Sequence, residues 1–162
     1  MKLKLKPFAI SITVILLFII SISAFSQQKV IEEHFKSLNK HDVAAITSGY
    51  SPDAQMYSAN WEGVKTGSAD INEVYKRYFQ SSPDLVYKIT HVINANDNVV
   101  VEYTTSGTLS NPEAQTPSYM KDKKYVLNYC AIYSIKNDKI IKETDYFDQV
   151  AFLRQVGFFE QR

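Results

Sequence analysis

Residues Asp138–Gly157 read DKIIKETDYFDQVAFLRQVG, and this segment places acidic residues within the alternating pattern of a β-strand. Successive side chains of a strand point to opposite faces of its sheet. Because Lys142 is the most easily solvated of these residues, we expect Glu143 and Asp145 to point to the interior together with Ile141. An acidic side chain on an apolar face is costly to bury unless it is paired, hydrogen-bonded or used in function. Asp145 is therefore the first candidate for a functional residue.

The same segment continues directly into a short amphipathic helix. We expect this helix to run from Gln149 to Val156 and to stop at Gly157. Asp148 precedes it, at the position where a side-chain oxygen caps the free N–H groups of the first turn. Two interpretations of Asp148 stay open, because it is either this N-cap or a second catalytic acid beside Asp145.

The segment also carries a pattern, KII-x-E-x-DYFDQ-xx-LRQ-x-G, that resembles the closing strand and helix of the SnoaL-like polyketide cyclases. These proteins form a family within the nuclear-transport-factor-2-like superfamily. Asn39-Lys40-His41-Asp42 and Ser82-Pro83-Asp84-Leu85 are further points of resemblance, which extends from about Val30 to Gly157. The resemblance implies a cone of helices on a curved sheet with a pocket inside.

In the resembled family, an aspartate that lines the pocket serves as acid and base in an intramolecular aldol closure, without a cofactor. Asp145 is the residue that matches it, with Asp148 as the alternative. The superfamily also holds isomerases, dehydratases, epoxide hydrolases and non-catalytic binding proteins on one scaffold. The resemblance therefore indicates the fold and leaves the reaction open.

The first 26 residues have the features of a secretory signal peptide. Three lysines precede an uncharged, largely apolar run from Phe8 to Phe25, and small residues surround a cleavage point near Ser26. We expect residues 1–26 to be removed and residues 27–162 to form one exported domain, periplasmic or extracellular, with no stable membrane association after cleavage. The alternative is an uncleaved membrane anchor, for which the run is just long enough.

Composition argues against several classes of protein. The leader carries three of the 18 basic residues, so that the 17 acidic residues outnumber the basic ones in the remainder, and no basic patch indicates nucleic acid. The glycines are scattered singly, which argues against a phosphate-binding loop or a dinucleotide fingerprint. The three histidines lack metal-ligand spacing. We therefore expect neither a metal nor a cofactor.

Helical periodicity comes early in the chain and strand periodicity later, an order typical of an α+β domain with helices on one face of a sheet. With the resemblance, this predicts a curved antiparallel sheet of four to six strands with the N-terminal helices packed on one face. The predicted helices before the sheet are Gln28–Asn39, a short one from Asp42 to Gly49, and Ser68–Phe79. The predicted strands are Ala54–Ala59, Leu85–Asn94, Asn98–Leu109, Lys124–Ile135 and Ile140–Phe147.

Several further residues are candidates for a site. His91 shares a strand face with Tyr87 and Ile89, and it would be a proton partner for Asp145 if that face is concave. His34 lies beside the apolar stripe of the first helix, which could overhang the pocket. The aromatic residues that suit a flat, hydrophobic ligand are Tyr57, Trp61, Tyr78, Tyr103 and Tyr129. Each of these residues is alternatively a plain member of the core.

Three functions remain open from the sequence. The first is an exported enzyme that performs cofactor-free acid–base isomerisation or cyclisation of an apolar carbonyl compound through Asp145. The second is non-catalytic binding of a small hydrophobic molecule in the same pocket. The third is an interaction module that forms a homodimer through one face of its sheet.

Overall fold

A computed structural model describes residues 26–58 and 63–160. The predicted leader up to residue 25 and the ligand-binding candidate Trp61 lie outside the described residues. The helices of the described part are α1 (residues 26–39), α2 (Val43–Ser48), α3 (Gly67–Ser81) and α4 (Gln149–Gln155). Its strands are β1 (Tyr50–Ser58), β2 (Lys65–Thr66), β3 (Val86–Ala95), β4 (Asn98–Thr108), β5 (Lys124–Lys136) and β6 (Lys139–Phe147). None of these helices has both the length and the apolar character needed to cross a bilayer.

The six described strands form one sheet in the order β2-β1-β6-β5-β4-β3. The α+β class and the number of strands are as predicted. Four of the five pairings are antiparallel, and β1 pairs with β6 in parallel, which the expectation of an antiparallel sheet did not include. A parallel pair needs a long connection between its strands. Here α3 and the strands β2 to β5 lie between β1 and β6 in the chain. Because β6 pairs with β1 on one side and with β5 on the other, it lies in the interior of the sheet.

Two tight turns fix the antiparallel part of the sheet. Asn96 between β3 and β4, and Asn137 and Asp138 between β5 and β6, have φ angles of 55°, 51° and 57°. Asn and Asp tolerate this left-handed conformation better than other residues that carry a side chain. These turns set the register of β3 with β4 and of β5 with β6.

The helices cover one face of the sheet, as predicted. Ile31, Phe35 and Leu38 of α1 are buried at the helical spacing expected from the sequence. They join one continuous core with α3 and the sheet, whose other members include Ile71, Val74, Tyr75, Phe79, Val99, Val101, Tyr103 and Tyr133. On the opposite face Val126 and Tyr146 are exposed, and no helix of the described residues covers them. Helix α4 lies at the end of the sheet, where the Gln155 side chain bonds to the backbone of Val126 on β5 and Phe152 packs against Tyr125.

Two β-bulges change the side of the sheet to which the residues beside them point. The register shifts opposite Ile141, so that Ile140 is fully buried and Ile141 is 38% exposed. A second shift lies between Ile89 and His91, and His91 is exposed opposite Glu102. A bulge inserts one extra residue and breaks the alternation of side chains. The inward direction expected for Ile141 is therefore wrong, and His91 does not share the buried face of Tyr87.

Candidate functional site

A cavity of about 490 Å³ lies between the concave face of the sheet, α3 and the segment that follows β4. Its wall is largely apolar and aromatic, and two acidic side chains of β6, Glu143 and Asp145, lie in it. The residues of the apolar part are Leu38, Met56, Leu85, Leu109, Met120, Leu127, Phe147, Phe152 and Leu153. Apolar cavities with a few convergent polar groups are typical small-molecule sites.

Asp145 reaches the cavity from the central strand β6. Its neighbours across the sheet are Ser58 of β1 and Ala131 of β5, both fully buried and small, and they leave room for the carboxyl group. The side chain is 4% exposed. Its Oδ1 atom has no hydrogen-bond partner among the described residues. A buried oxygen without a partner is costly, and a ligand in the cavity could supply the missing bond.

Glu143 lies two residues earlier on the same face and is 2% exposed. It has hydrogen-bond partners, in contrast to Oδ1 of Asp145. The Tyr50 hydroxyl donates to Oε2 of Glu143, and the Tyr75 hydroxyl lies 2.9 Å from that of Tyr50 and 3.4 Å from the same Oε2. Glu143 is thus held from two sides, by β1 and by α3.

Burial changes the acidity of both carboxyl groups. It raises the pKa of Asp145 well above its usual range, and Glu143 raises it further through its negative charge and a hydrogen bond between the two carboxyl groups, while a hydrogen bond with Tyr103 opposes the change. Burial also raises the pKa of Glu143 to about 7, against the effect of its tyrosine hydrogen bonds. Two neighbouring acids in an apolar site do not ionise independently. The pair therefore retains a proton near neutral pH.

Tyrosine rings form much of the remaining wall. Tyr103, Tyr129 and Phe147 stack in a row across β4, β5 and β6, with ring centroids 5.1 and 4.7 Å apart and planes inclined by 17°. The predicted residues Tyr78, Tyr103 and Tyr129 all line the cavity. Tyr57 is half-buried on the side of β1 opposite Met56 and does not line it. A stacked row of rings offers a flat surface to an aromatic ligand.

His34 lies behind the wall, among the rings of Tyr50, Tyr75 and Tyr133, with centroids 5.6 to 6.2 Å away. It does not line the cavity. Neither ring nitrogen has a hydrogen-bond partner among the described residues, and burial lowers its pKa to about 3. The ring is therefore neutral and belongs to the core of the domain.

The other two predicted catalytic residues lie away from the cavity wall. His91 is exposed, because of the bulge beside it, and does not approach Asp145 as expected. Asp148 is exposed and caps α4, since its Oδ1 accepts a bond of 3.0 Å from the backbone N–H of Ala151. Of the two interpretations of Asp148, the structure shows the N-cap.

Sequence reasoning did not find the tyrosines that hold Glu143. Tyr50 and Tyr75, and also Tyr133 of β5, form hydrogen bonds with Glu143. They lie on three different elements, and no spacing in the chain brings them together. The sequence did indicate the acidic pair, because Glu143 and Asp145 are two residues apart on a strand and were correctly predicted to share one face.

The mouth of the cavity is closed on one side by the segment from Leu109 to Lys123. The Arg77 guanidinium of α3 binds Glu113 of this segment, with Nε 2.9 Å from Oε1. Asn111 bonds to the backbone of Gln80 and Ser81 at the end of the same helix, at 3.0 and 3.1 Å. Among the described residues that line the cavity, Arg77 is the only cation.

The described residues contain no cluster of three His, Cys, Asp or Glu side chains suited to a metal.

The sequence from residue 28 to residue 156 matches the family model of the SnoaL-like polyketide cyclases. The chain belongs to the SnoaL-like polyketide cyclase family. This confirms the resemblance inferred from the strand and helix at the C-terminal end. No curated protein matches the chain in sequence.

Solved structures share the fold of this family member at low identity. TsrD from Streptomyces laurentii is 19% identical with a TM-score of 0.70, over 82% of this chain and 95% of that chain. A hypothetical protein of ketosteroid isomerase-like fold from Catenulispora acidiphila, in complex with trimethylamine, is 16% identical with a TM-score of 0.67, over 79% and 92%. TerC co-crystallised with polyporic acid is 20% identical with a TM-score of 0.67, over 81% and 98%. These likenesses show the fold alone.

Proposed function

We propose that this protein binds a flat, largely apolar carbonyl compound in its cavity and that Asp145 exchanges protons with it, in a cofactor-free isomerisation or cyclisation. One observation carries the proposal: Oδ1 of Asp145 is buried in an aromatic cavity and has no partner among the described residues. No described ion pair ties this carboxyl to a cation. Oδ1 is thus available to a ligand.

A single carboxyl group can perform both halves of this chemistry. In its protonated form it gives a proton to the carbonyl oxygen, and the resulting carboxylate takes a proton from the carbon next to the carbonyl. The keto compound becomes an enol, and return of the proton at another carbon completes an isomerisation without any redox change. Tyrosine hydroxyls in the wall would be further hydrogen-bond donors to the ligand oxygen during this exchange.

Proton exchange at carbon tests the proposal directly. The methyl protons of 2-acetonaphthone, a flat methyl ketone, should exchange with D2O faster in the presence of the protein, as followed by 1H NMR. Asp145→Asn should reduce the rate to that of buffer because the amide cannot shuttle a proton. Asp148→Asn is the matched control, since asparagine also serves as an N-cap, and it should exchange like the wild type. Equal exchange by Asp145→Asn and the wild type would refute the proposed role.

Non-catalytic sequestration of a similar ligand is the second candidate. It is favoured by the structure of TerC with polyporic acid, in which a protein of this fold is found with a flat small molecule. The two candidates differ in one outcome: a sequestering protein would bind 2-acetonaphthone without accelerating its exchange. Native mass spectrometry of the purified domain would identify a ligand that is retained from the host cell.

We further propose that the uncovered sheet face pairs with a second copy of the chain. Val126 and Tyr146 are 60% and 51% exposed on this face, on adjacent strands. Val126→Glu should convert the dimer to a monomer in size-exclusion chromatography with light scattering, and a wild-type monomer would contradict the proposal.

Export remains a proposal that rests on the sequence of the leader. Expression of the full chain in a bacterial host, followed by N-terminal sequencing of the periplasmic fraction, should give a chain that begins at Gln27. An intact leader in the membrane fraction would favour the anchor instead.

A further inference from the structure

We propose that Glu143 is a positioning residue that keeps the carboxyl of Asp145 protonated, so that the cavity selects neutral, flat molecules that present a carbonyl oxygen to it. This inference rests on the proposed function, which assigns the cavity to a small molecule and proton exchange to Asp145. It adds the resting proton state of the site and hence the chemical class of its ligand.

The strand places the two acids side by side. Glu143 and Asp145 are two residues apart on β6, so their side chains leave the same face of the sheet, and both are buried. No described Lys or Arg forms an ion pair with either group. Arg77 at the mouth of the cavity is already paired with Glu113. Without a cation nearby, two adjacent carboxylates repel each other too strongly for both to be charged.

The hydroxyl network decides which acid carries the charge. A tyrosine hydroxyl has a single proton to donate. The Tyr50 hydroxyl directs its proton to Glu143, and it can then accept from the Tyr75 hydroxyl at 2.9 Å. In this chain of hydrogen bonds, Tyr75 donates to Tyr50 and Tyr50 donates to Glu143. Donation to an ionised acceptor is stronger than donation to a neutral one, so this network stabilises Glu143 as the carboxylate.

Asp145 lacks a comparable set of donors. It forms hydrogen bonds with Tyr103 and with the Glu143 carboxyl, and its Oδ1 has no partner among the described residues. Between the two acids, the proton is therefore held by Asp145. The negative charge of Glu143 acts in the same direction, because it disfavours ionisation of its neighbour.

The other titratable groups around the pair are neutral. Those on the facing elements are Tyr50 on β1, Tyr75 and Tyr78 on α3, Tyr103 on β4, and Tyr129 and Tyr133 on β5. Tyr87 on β3 and His34 on α1 belong to the same cluster. Burial raises the pKa of each tyrosine and lowers that of His34 to about 3. Near neutral pH, only the two acids can exchange a proton within the cluster.

A protonated Asp145 determines what the cavity can accept. Its carboxyl also forms a hydrogen bond with Glu143, and a ketone or quinone oxygen in the cavity would be an alternative acceptor for its proton. A ligand carboxylate would add a second negative charge beside Glu143 in an apolar site and would be rejected. The Tyr103–Tyr129–Phe147 row favours a flat ring system in contact with that carbonyl.

The proton state can be measured without any ligand. In protein labelled with 13C at the aspartate side-chain carboxyl, the Asp145 resonance is identified by its loss in Asp145→Asn. We expect this resonance to keep its protonated position to higher pH than any exposed aspartate. In Glu143→Gln the midpoint should fall by about one pH unit or more, because the neighbouring charge is gone. The exposed Glu102 of the outer face provides the matched control, and Glu102→Gln should leave the midpoint unchanged.

If Glu143 only stabilised the fold, Glu143→Gln would not move the midpoint of the Asp145 titration. If Glu143→Gln does not fold, Tyr50→Phe is the second variant. It removes a donor from Glu143 and should shift part of the proton from Asp145 to Glu143, seen as a move of the Asp145 resonance toward its ionised position. An Asp145 that is ionised at neutral pH in the wild type, or an Asp145 midpoint that neither variant moves from its wild-type value, would overturn the inference.

Ligand selection is the second readout. The wild type should bind 2-acetonaphthone at least about tenfold more tightly than 2-naphthoate at about pH 8, where both the naphthoate and Glu143 are ionised, as measured by calorimetry. Tighter binding of 2-naphthoate would contradict the inference and leave the cavity as a binding site. If neither probe binds while Asp145 titrates as predicted, the proton arrangement stands and the proposed function fails.

Discussion

The proton held by the buried acids should make the stability of this protein fall as the pH rises. Glu143→Gln should remove the part of this pH dependence that is due to Glu143. In the unfolded chain Glu143 ionises at about pH 4.5, whereas in the folded protein burial raises its pKa to about 7. Between these values the folded state binds more protons than the unfolded state, so the free energy of unfolding falls as the pH rises. The stabilisation is fully present below pH 4.5 and is lost as the pH passes through 7.

The size of this effect follows from the two pKa values. The change from 4.5 to about 7 corresponds to about 3 kcal/mol of unfolding free energy. The raised pKa of Asp145 adds to the loss in the same direction. Glutamine has nearly the shape of glutamate and no titrating proton. The difference in unfolding free energy between wild type and Glu143→Gln should therefore change by about 3 kcal/mol between pH 4.5 and pH 8, with the wild type losing more.

Urea unfolding followed by circular dichroism at a series of pH values measures this difference. His34 contributes a slope of opposite sign, because its pKa is lowered on folding. That contribution is common to both proteins and cancels in the comparison. Glu102→Gln, which changes an exposed acid, should give a difference that stays flat with pH. Parallel stability curves for wild type and Glu143→Gln would refute the reasoning.

Three further predictions concern the residues around the acids. As the pH falls from 6.5 to 3, the unfolding free energy of His34→Phe should fall by about 5 kcal/mol less than that of the wild type. The reason is that the buried neutral histidine of the wild type takes up a proton on unfolding. Acid titration followed by circular dichroism checks this. Tyr50→Phe should cost about 2 kcal/mol in urea unfolding at pH 8 and less at pH 5, where the Glu143 carboxyl that accepts its bond is protonated. Arg77→Ala should change stability by less than about 1 kcal/mol, since the ion pair with Glu113 is half-exposed. It should nevertheless speed the dissociation of 2-acetonaphthone in stopped-flow experiments, whereas Lys76→Ala, which breaks an exposed pair on the same helix, should not.

Local patterns in the sequence predicted the elements and the buried acids. The alternation of β6 placed Glu143 and Asp145 on one face, and Asp42 and Asp148 were recognised at helix N-termini from their position before apolar runs. These features depend on residues a few positions apart. Strand period and capping chemistry act over the same distance, and for this reason they can be read from a sequence.

Features set by distant residues were not predictable in the same way. The bulges beside His91 and Ile141 depend on the register of the neighbouring strands, and a single extra residue reverses every side chain beyond it. The parallel pairing of β1 with β6 joins the two ends of the domain. The hydroxyl network around Glu143 arises only once β1 and α3 have packed against β6.

Infrared spectroscopy of a bound probe tests the central claim most directly, because it reports the bond between the ligand carbonyl and Asp145. With 2-acetonaphthone labelled by 13C at its carbonyl, the stretching frequency should be lower in the wild-type complex than in the complex with Asp145→Leu, which keeps an apolar side chain in the cavity and removes the donor. A labelled carbonyl that absorbs at the same frequency in both complexes would show that the buried acid does not contact the ligand.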